Sequence, residues 1–374
     1  MALTKLLPIS AGVLLLTAGP TLLSAQRAGT SPAATPAAAT TRIVAAAEAL
    51  LATLDPAAKK TVQFAFDDQA QRVRWSNFPS GIFERQGLKL GDLTPAQRAA
   101  VDTLLQTALS ANGYRKVKDI MRGDEVLKTQ GDRGNGGAPA RGGPPNRGGG
   151  GGRGGGRGPG GGLLFGEDLY YLAFLGTPSA TTPWMLQFGG HHLAINLTMA
   201  GANASITPSL PAAQPATFTI EGREIRPLGK EQDKAFELIN ALDATQKKDA
   251  ILSYRVADLV LGPGQDGRVI QPEGLRASSM TPAQQSTLLE IIREWAGIMT
   301  DGYAEPRMAE LRANLAQTYF AWSGATTPGS ASYFRIQGPT LVIEYAPQGN
   351  VDHIHTIYRD PTNDYGAKFT GKAK

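Results

Sequence analysis

Leu93-Thr94-Pro95-Ala96-Gln97 is the segment from which the architecture can be inferred, because a close copy of it, Met280-Thr281-Pro282-Ala283-Gln284, recurs in the second half of the chain. In both copies a threonine precedes a proline, which is the order of a helix N-cap and the first helical residue. Amphipathic runs follow over residues 99–109 and 288–299. We therefore predict one helix after each copy.

Further segments repeat around this pair. The matching ranges are 54–60 with 242–248, 87–88 with 274–275, 113–114 with 302–303, 171–176 with 319–324, and 188–195 with 336–343. Self-similarity of this kind indicates two copies of one supersecondary unit. Alternation over residues 193–197 and the β-rich run 341–345 predict strands after the helices. The predicted fold class is α+β, with two pseudo-symmetric halves from an internal duplication, each made of helices followed by antiparallel strands.

The start of the chain has the order of a secretory signal. Lys5 is followed by a short apolar stretch, and then by the small-residue sequence Leu23-Ser24-Ala25, which is typical of a cleavage site. The apolar stretch is shorter than the roughly 20 residues that span a bilayer, so we expect no membrane span. We predict an exported protein, periplasmic or extracellular.

The composition divides the rest of the chain. The expected organisation is a signal peptide (1–25), a flexible mature N-terminus (26–41), a first half (42–200), a connector (201–241), and a second half (242–374) that ends with a His-x-His segment. The chain has no cysteine, which excludes disulfides, thiolate metal sites and a cysteine nucleophile. The mature protein must therefore be stabilised by core packing.

Residues 131–162 are mostly glycine, with five arginines and one aspartate. Such a composition cannot bury apolar surface and predicts disorder. One interpretation is an Arg-Gly tether for nucleic acid. The other, which we favour for an exported protein, is a tolerated surface-loop insertion. The net charge of +5 comes from this insertion and from Lys5, so the folded remainder is about neutral and we expect no nucleic-acid partner.

All four histidines fall in two clusters, His191-His192 and His353-Ile354-His355. Histidine is the commonest metal ligand and exchanges protons near neutral pH. The second copy of the repeat has Pro339-Thr340 where the first has the histidine pair. Folding alone therefore does not account for the pair.

If residues 190–197 form a strand, alternation places His192 on one face with Asn196, and His191 on the core face. The same alternation places His353 and His355 on one face, where two imidazoles can converge on one metal ion. Nearby polar residues give a wider set of candidates. As catalytic residues we predict His192, His355, Arg359 and Asp360, and as metal ligands His191, His192, His353, His355 and Asp364.

Three interpretations of these residues stay open. A metal site is the first: three nitrogen ligands and a water suit zinc, while mixed nitrogen and oxygen ligands suit iron, copper or manganese. A metal-free acid–base site without any cofactor is the second. The third is a purely structural role. One weaker candidate is the segment from Arg359 to Gly366, which is first of all typical of a turn, and in which Arg359 could bind an anionic or carboxylate substrate. The other is Arg74–Pro79 with Arg85, which we interpret as a packed Trp75 with surface arginines. The alternative for that stretch is a platform for a sugar or a peptide.

Together these stretches resemble a bacterial family known as domain of unknown function family 3500. The residues that carry the resemblance are Arg74-Trp75 with Pro79, 109–114, 176–178, 184–193, 353–356, 359–361 and 363–366. The resemblance covers nearly all of the mature chain. It implies an often exported protein and supplies no reaction.

The function favoured by the sequence is that of an exported, metal-dependent enzyme, most plausibly a hydrolase with a histidine-based site. Its substrate, a small molecule or a polymer, is not specified by any motif. The alternative is a non-catalytic extracytoplasmic ligand-binding protein with a cleft between the two halves. No nucleophile elbow, zincin helix or phosphate-binding loop is present in the sequence.

Overall fold

The helices after the two repeated segments begin where the sequence predicts them. In the computed structural model, which describes residues 1–2, 35–134 and 163–371, Thr94 and Thr281 are N-caps with proline next in the helix. Each threonine side chain accepts from the amide of a glutamine three residues on, and that glutamine side chain accepts from the threonine amide. This reciprocal capping box satisfies two backbone donors at each helix start.

The described residues of the first half form five α-helices and seven strands. They are α1 (Pro36–Ala52), α2 (Pro56–Val62), β1 (Gln63–Phe64), α3 (Gln69–Arg72), β2 (Leu88–Lys89), α4 (Pro95–Ala108), α5 (Ala111–Gly134), β3 (Tyr171–Leu175), β4 (Trp184–Gly190), β5 (Leu193–Ala200), β6 (Asn203–Ser205) and β7 (Leu210–Pro211). The predicted signal peptide and residues 135–162 of the Gly/Arg-rich insertion lie outside the described residues. Helix α1 begins inside the segment 26–41 that was expected to be flexible, because Thr35 caps it and Pro36 starts it.

The remaining elements repeat much of this order. They are β8 (Phe218–Ile220), β9 (Arg223–Ile225), α6 (Gly229–Ala241), α7 (Ala244–Ala250), β10 (Leu275–Arg276), α8 (Pro282–Ala296), α9 (Asp301–Ala313), β11 (Tyr319–Ser323), β12 (Tyr333–Gly338), β13 (Leu341–Pro347), β14 (Ile354–Arg359) and α10 (Ala367–Thr370). The short hairpin β8–β9 and helix α6 fall in the segment expected to be a connector.

The strands form two main sheets. The first has the order β1-β3-β4-β5-β6, with β2 also paired to β3 and β7 also paired to β5, and the second has the order β10-β11-β12-β13-β14. All strand pairs are antiparallel except β1 with β3. The predicted α+β class with antiparallel strands is therefore confirmed.

Residues 209–213 connect the edges of the two sheets. Within this segment β7 pairs with the start of β5. Ser209 and Ala213 form bridges to Tyr358 and Ile354 of β14. The start of β5 and the start of β14 are thereby held on either side of one short extended segment.

One hydrophobic cluster runs through both halves, with Trp184, Trp295 and Trp322 among its fully buried side chains. The described residues from 35 onward belong to a single compact unit. Among the described residues, no helix has both the length and the apolar character needed to cross a bilayer. The packed core supports the strand ends at which the histidines lie.

Candidate metal centre

His191 and His192 form the two-residue turn between β4 and β5. Gly190 pairs with Leu193 across this turn, so the strand expected over residues 190–197 begins only at Leu193. The reason is that His192 has a φ of +104°, outside the extended region and strained for a residue with a Cβ. The turn carries both imidazoles beyond the end of the sheet.

Gly190 makes this turn possible. A Cβ at this position would lie 2.7 Å from the ring of Tyr170, which is too close for any side chain. The Tyr170 hydroxyl donates to the carbonyl of His191 at 2.7 Å. The ring of Tyr170 therefore packs directly under the turn and fixes its position.

The second histidine cluster lies at the start of β14. Strand alternation is as predicted, since Ile354 is buried in the core and His353 and His355 share the opposite face. Ala213 exchanges two backbone hydrogen bonds of 2.9 Å with Ile354, while the amide of Ala212 donates to the carbonyl of His192 at 2.7 Å. The consecutive residues Ala212 and Ala213 thus hold the two histidine clusters next to each other.

The two clusters meet. Nε2 of His353 lies 3.2 Å from Nε2 of His192 and 3.0 Å from Nε2 of His355. One nitrogen from each of the three rings lies within 4.8 Å of the others. Nitrogen ligands 2.0–2.1 Å from zinc are about 3.3–3.4 Å apart at tetrahedral angles, and about 2.9 Å apart at right angles. The triad spacing therefore fits three ligands on one side of a metal ion.

The triad is largely shielded from solvent. His192 and His355 are 3% and 7% exposed, and His353 is partly exposed. Burial, reinforced by the three other histidines, lowers the pKa of His192 well below its usual value. Burial and the neighbouring His355 and His191 lower the pKa of His353 to about 4. Both rings are neutral at neutral pH, which is the form that binds metals.

His355 has two polar neighbours besides the other imidazoles. Its Nδ1 lies 3.4 Å from a carboxylate oxygen of Asp258, and its Nε2 lies 3.0 Å from Nδ2 of Asn77. Burial alone would raise the pKa of Asp258, but the hydrogen bond from His355 and the amide of Leu259 outweigh it and lower that pKa. A carboxylate at Nδ1 keeps the proton there and directs the Nε2 lone pair inward.

His191 is not part of the triad. Its Nδ1 lies 2.6 Å from a carboxylate oxygen of Asp124 on α5, and both side chains are buried. Its ring stacks on His192 with centroids 3.6 Å apart. The predicted role of His191 as a ligand therefore does not match its position, which supports the ring of His192 instead.

Arg359 and Asp364 also lie apart from the triad. Arg359 is four residues beyond His355 on β14, about 13 Å away along a strand. Its guanidinium donates to Asp266 and Asp364 and to the carbonyls of Leu261 and Gly262. Every one of these partners is part of the protein, so the arginine predicted as catalytic is fully engaged in holding a loop.

Asp360 faces away from the histidines as well. One carboxylate oxygen accepts from the amide and hydroxyl of Thr362, and the other lies 3.3 Å from a guanidinium nitrogen of Arg307. The predicted catalytic role of Asp360 and the predicted ligand role of Asp364 therefore have no counterpart in the histidine cluster.

The loop that carries Asp258 is fixed from two sides. The buried carboxylate of Glu344 on β13 accepts from the amides of Val260 and Leu261 at 2.9 and 2.8 Å. Arg359 donates to the carbonyl of Leu261 at 2.7 Å. Two neighbouring strands of the second sheet thus position the carboxylate that contacts His355.

Arg85 fixes the loop that carries Asn77. Its Nη2 donates to the carbonyls of Ser76, Phe78 and Gly190 at 2.7–2.8 Å. Burial lowers the pKa of Arg85 to about 10. Trp75 is packed as expected, while Arg85 is partly buried rather than exposed. It ties this loop to the histidine turn.

Four residues of the site were not predicted to contact the histidines: Asn77, Arg85, Asp124 and Asp258. Arg85 and Asn77 belong to the aromatic and basic stretch that the sequence marks as a weaker candidate. Asp124 and Asp258 have no distinguishing neighbours in the sequence.

Comparison with known protein families identifies the family of this chain. The model of a family described as "Protein of unknown function (DUF3500)" matches residues 36–367, which confirms the resemblance inferred from the motifs. No curated protein and no solved structure matches the chain. The family description names no reaction, so the geometry of the site has to supply one.

Proposed function

We propose that this chain, which belongs to the DUF3500 family of proteins of unknown function, binds one divalent metal ion through His192, His353 and His355 and acts as a metal-dependent hydrolase. The observation that carries the proposal is the pair of Nε2 separations, 3.2 and 3.0 Å, within the triad. Nε2 of His353 offers either one proton or one lone pair, so it can form a good hydrogen bond with only one of the two Nε2 atoms beside it. A metal ion can accept a lone pair from all three.

Zinc is the metal that fits this donor set best. Iron and manganese sites commonly include carboxylate ligands, and Asp364, the carboxylate that was expected to complete a mixed set, is bonded to Arg359 instead. Copper shares the preference for imidazole and remains the second choice. Zinc with three histidine ligands keeps an open position and lowers the pKa of a bound water to about 7.

The surrounding residues have distinct roles in this proposal. Asp258 fixes the tautomer of His355 through Nδ1. His191, held by Asp124, packs against the ring of His192 and limits its rotation. The amide of Asn77 lies beside Nε2 of His355, where it can contact a substrate oxygen. Substrate approaches from the side of His353, the partly exposed member of the triad.

Metal analysis of the purified protein tests the first part. We expect about one equivalent of zinc per chain by elemental mass spectrometry, and loss of at least nine tenths of it in His353→Ala and His355→Ala. Pro339→Ala, in the exposed turn of the second hairpin, is the matched control and should bind as the wild type does. Circular dichroism establishes that each variant is folded. A wild-type protein that takes up no zinc, copper, iron or manganese on reconstitution would contradict the metal site.

Activity tests the second part. Nitrophenyl esters, phosphate diesters and small peptides form a suitable panel. Hydrolysis should disappear with a chelator, return with zinc, and be absent in His355→Ala. If the protein binds zinc but cleaves none of these bond types, or if its activity survives metal removal, the hydrolase proposal is wrong while the metal site stands.

A second candidate function, a non-catalytic ligand-binding protein, is favoured by one cavity. It has a volume of about 620 Å³ and lies between β6 and the following residues on one side and α9 on the other. Tyr303, Arg307 and Lys368 are among its polar lining residues. It contains no member of the triad. A protein that carries no metal and catalyses no hydrolysis, yet co-purifies with a small molecule, would favour this alternative.

We also infer that the two halves derive from an internal duplication. Two observations support it. The amide of Ser110 donates to the carbonyl of Ile298 and the amide of Thr300 donates to the carbonyl of Ala108, which is a reciprocal exchange between equivalent helix ends. The hairpins of both halves have two-residue turns, closed by Gly190 with Leu193 and by Gly338 with Leu341. Crystal coordinates in which residues 54–200 and 242–347 do not superpose would exclude the duplication.

Export is the remaining part of the proposal. The order of Lys5, the apolar stretch and Leu23-Ser24-Ala25 supports a periplasmic or extracellular protein. A zinc or copper site that is open on one side is compatible with either compartment.

A further inference from the structure

A second cavity lies at the opposite end of β14 from the histidines. It has a volume of about 250 Å³ and is formed by three segments: the end of α3, the loop 265–269, and residues between Arg359 and Thr370. No histidine lines it. The size suits a ring or short chain with one polar head, and is smaller than a site for a drug-sized ligand.

The walls combine apolar and charged groups. Val73, Val269, Pro361 and Ala367 supply apolar surface. The charged lining residues are Arg72, Arg268, Arg359, Asp266 and Asp364. Three arginines against two aspartates leave one positive charge in excess.

Both aspartates are already engaged. Asp266 and Asp364 each accept from Nη1 of Arg359, at 2.9 and 2.8 Å. Asp266 also accepts from the hydroxyl of Tyr365. Both carboxylates in the cavity wall are therefore hydrogen-bonded to Arg359, and neither of them forms an ion pair with the arginine on the opposite wall.

Among the described residues, that opposite arginine, Arg72, makes no direct ion pair, and the carboxylate of Asp67 acts on it only at longer range. Its side chain is 4% exposed. Its guanidinium donates to the carbonyl of Phe66 and lies over the ring of that residue, 4.6 Å from the centroid, and its buried Nε has no hydrogen-bond partner among the described residues. Burial lowers the pKa of Arg72. A buried guanidinium without a direct ion pair is costly, and proteins usually compensate such groups.

A second unpaired group lines the same cavity. The hydroxyl of Thr370 is buried and has no hydrogen-bond partner in the described part of the chain. A guanidinium without a direct ion pair and an unpaired hydroxyl on the walls of one cavity together match a ligand with an acidic head.

We propose that this cavity binds a small carboxylic acid, with its carboxylate accepting from Arg72 and Thr370 and its apolar body against Val73, Pro361 and Ala367. A guanidinium and a carboxylate match in geometry as well as in charge. The proposal does not rest on the metal centre, since the cavity shares no residue with the triad.

The test uses two acids and their neutral counterparts. Phenylacetate, phenylacetamide, octanoate and octanamide are titrated into the full-length mature protein by isothermal calorimetry. We expect at least one acid to bind at least about tenfold more tightly than its amide, which is the range of a charge-assisted hydrogen bond. Arg72→Met should remove that preference, and Val73→Trp should block acid and amide alike. Arg312→Met, at an exposed arginine of α9, is the matched control.

Several results would overturn the proposal. They are an acid and an amide that bind equally, an Arg72→Met variant that binds the acid as the wild type does, and no binding of either acid at millimolar concentration. If Arg72→Met does not fold, as judged by circular dichroism, the preference of the wild type and the block by Val73→Trp still decide the question. None of these results depends on the metal content of the protein.

Discussion

Asp124 and His191 form a buried pair, with a carboxylate oxygen 2.6 Å from Nδ1 of the imidazole. The pair lies behind the metal centre, because His191 stacks on His192. The other oxygen of Asp124 accepts from the amide of Gly166 at 2.9 Å. A single carboxylate thus connects helix α5, the histidine turn and the chain that re-enters after the Gly/Arg-rich insertion.

Asp124→Asn should destabilise the protein. The amide retains the size of the carboxylate but weakens a buried, short hydrogen bond, so we expect the free energy of unfolding to fall by about 1–3 kcal/mol. Urea denaturation followed by circular dichroism measures it. Asp119→Asn, on the same helix, is the control and should change stability far less, since its ion pair with Arg122 is a helix-surface contact. Equal effects of the two variants would contradict the role given to Asp124.

Asp258→Asn should weaken metal binding without unfolding the protein. Loss of the carboxylate at Nδ1 of a ligand histidine typically costs 10- to 100-fold in metal affinity. Because Asp258 is exposed, we expect a loss at the lower end of this range, about tenfold. Competition with a chromophoric chelator measures the affinity for zinc. Asp249→Asn, at an exposed position of α7, should leave the affinity unchanged. An unaltered affinity in Asp258→Asn would show that His355 does not need this partner.

The metal-free protein should lose stability as the pH falls from about 6.5 toward 4. The pKa of His192 and that of His353 are lowered in the folded state, the latter to about 4, so the unfolded chain takes up protons first in this window. Above the ordinary histidine pKa of about 6.5 these groups contribute no pH dependence. Unfolding at several pH values, with a chelator present, gives the slope.

His353→Gln should flatten that slope, because one of the two groups responsible is removed. Pro339→Ala leaves both groups in place and should retain the wild-type slope. If His353→Gln and the wild type lose stability in parallel between these pH values, the histidines do not account for the acid sensitivity.

Residues 135–162 should be dispensable for folding. Their composition cannot build a core. Glu167 contacts Glu125 through its amide, and α5 ends nine residues later at Gly134, about 14 Å further along the helix. An eight-residue Gly-Ser linker spans that distance. We expect the melting temperature of the variant with this linker in place of residues 135–162 to lie within about 2 °C of that of the wild type, by the usual scale of neutral surface changes. A larger drop would mean that the deleted residues pack against the fold.

The signal peptide should be removed after Ala25 on export. Mass spectrometry of the protein from the medium or periplasm should show a mature chain that begins at Gln26, because Leu23-Ser24-Ala25 provides the small residue that signal peptidase requires. Ala25→Lys should prevent the cleavage. An exported chain that still begins at Met1 would refute this prediction.

The helices and the pairing of histidines could be predicted from the sequence. Thr94 and Thr281 mark helix starts by local chemistry alone, and the strand period of residues 353–355 places two imidazoles on one face. The histidine turn could not be predicted from the sequence. The alternation of residues 193–197 extends backward to Gly190, and only the positive φ of His192 ends the strand before that residue.

The polar partners of the triad also could not be predicted from the sequence. Asp258 and Asn77 lie 97 and 278 positions from His355, and no local pattern links groups at such separations. The role of Arg359 was misassigned for a related reason. Its position beside two aspartates and a turn suggested a substrate contact, whereas two carboxylates and two carbonyls of the protein occupy it.

The length of the segment 209–213 limits which insertions and deletions this protein can tolerate. Ala212 holds the histidine turn and Ala213 holds β14, so the three imidazoles converge in only one alignment of this segment. Adding or removing a single residue there would turn successive side chains to opposite faces and separate the ligands, although each half could still pack its own core. Among relatives that retain the triad, we therefore expect variation in length elsewhere. The number of residues between β5 and the segment 209–213, which pairs with β14, should be constant.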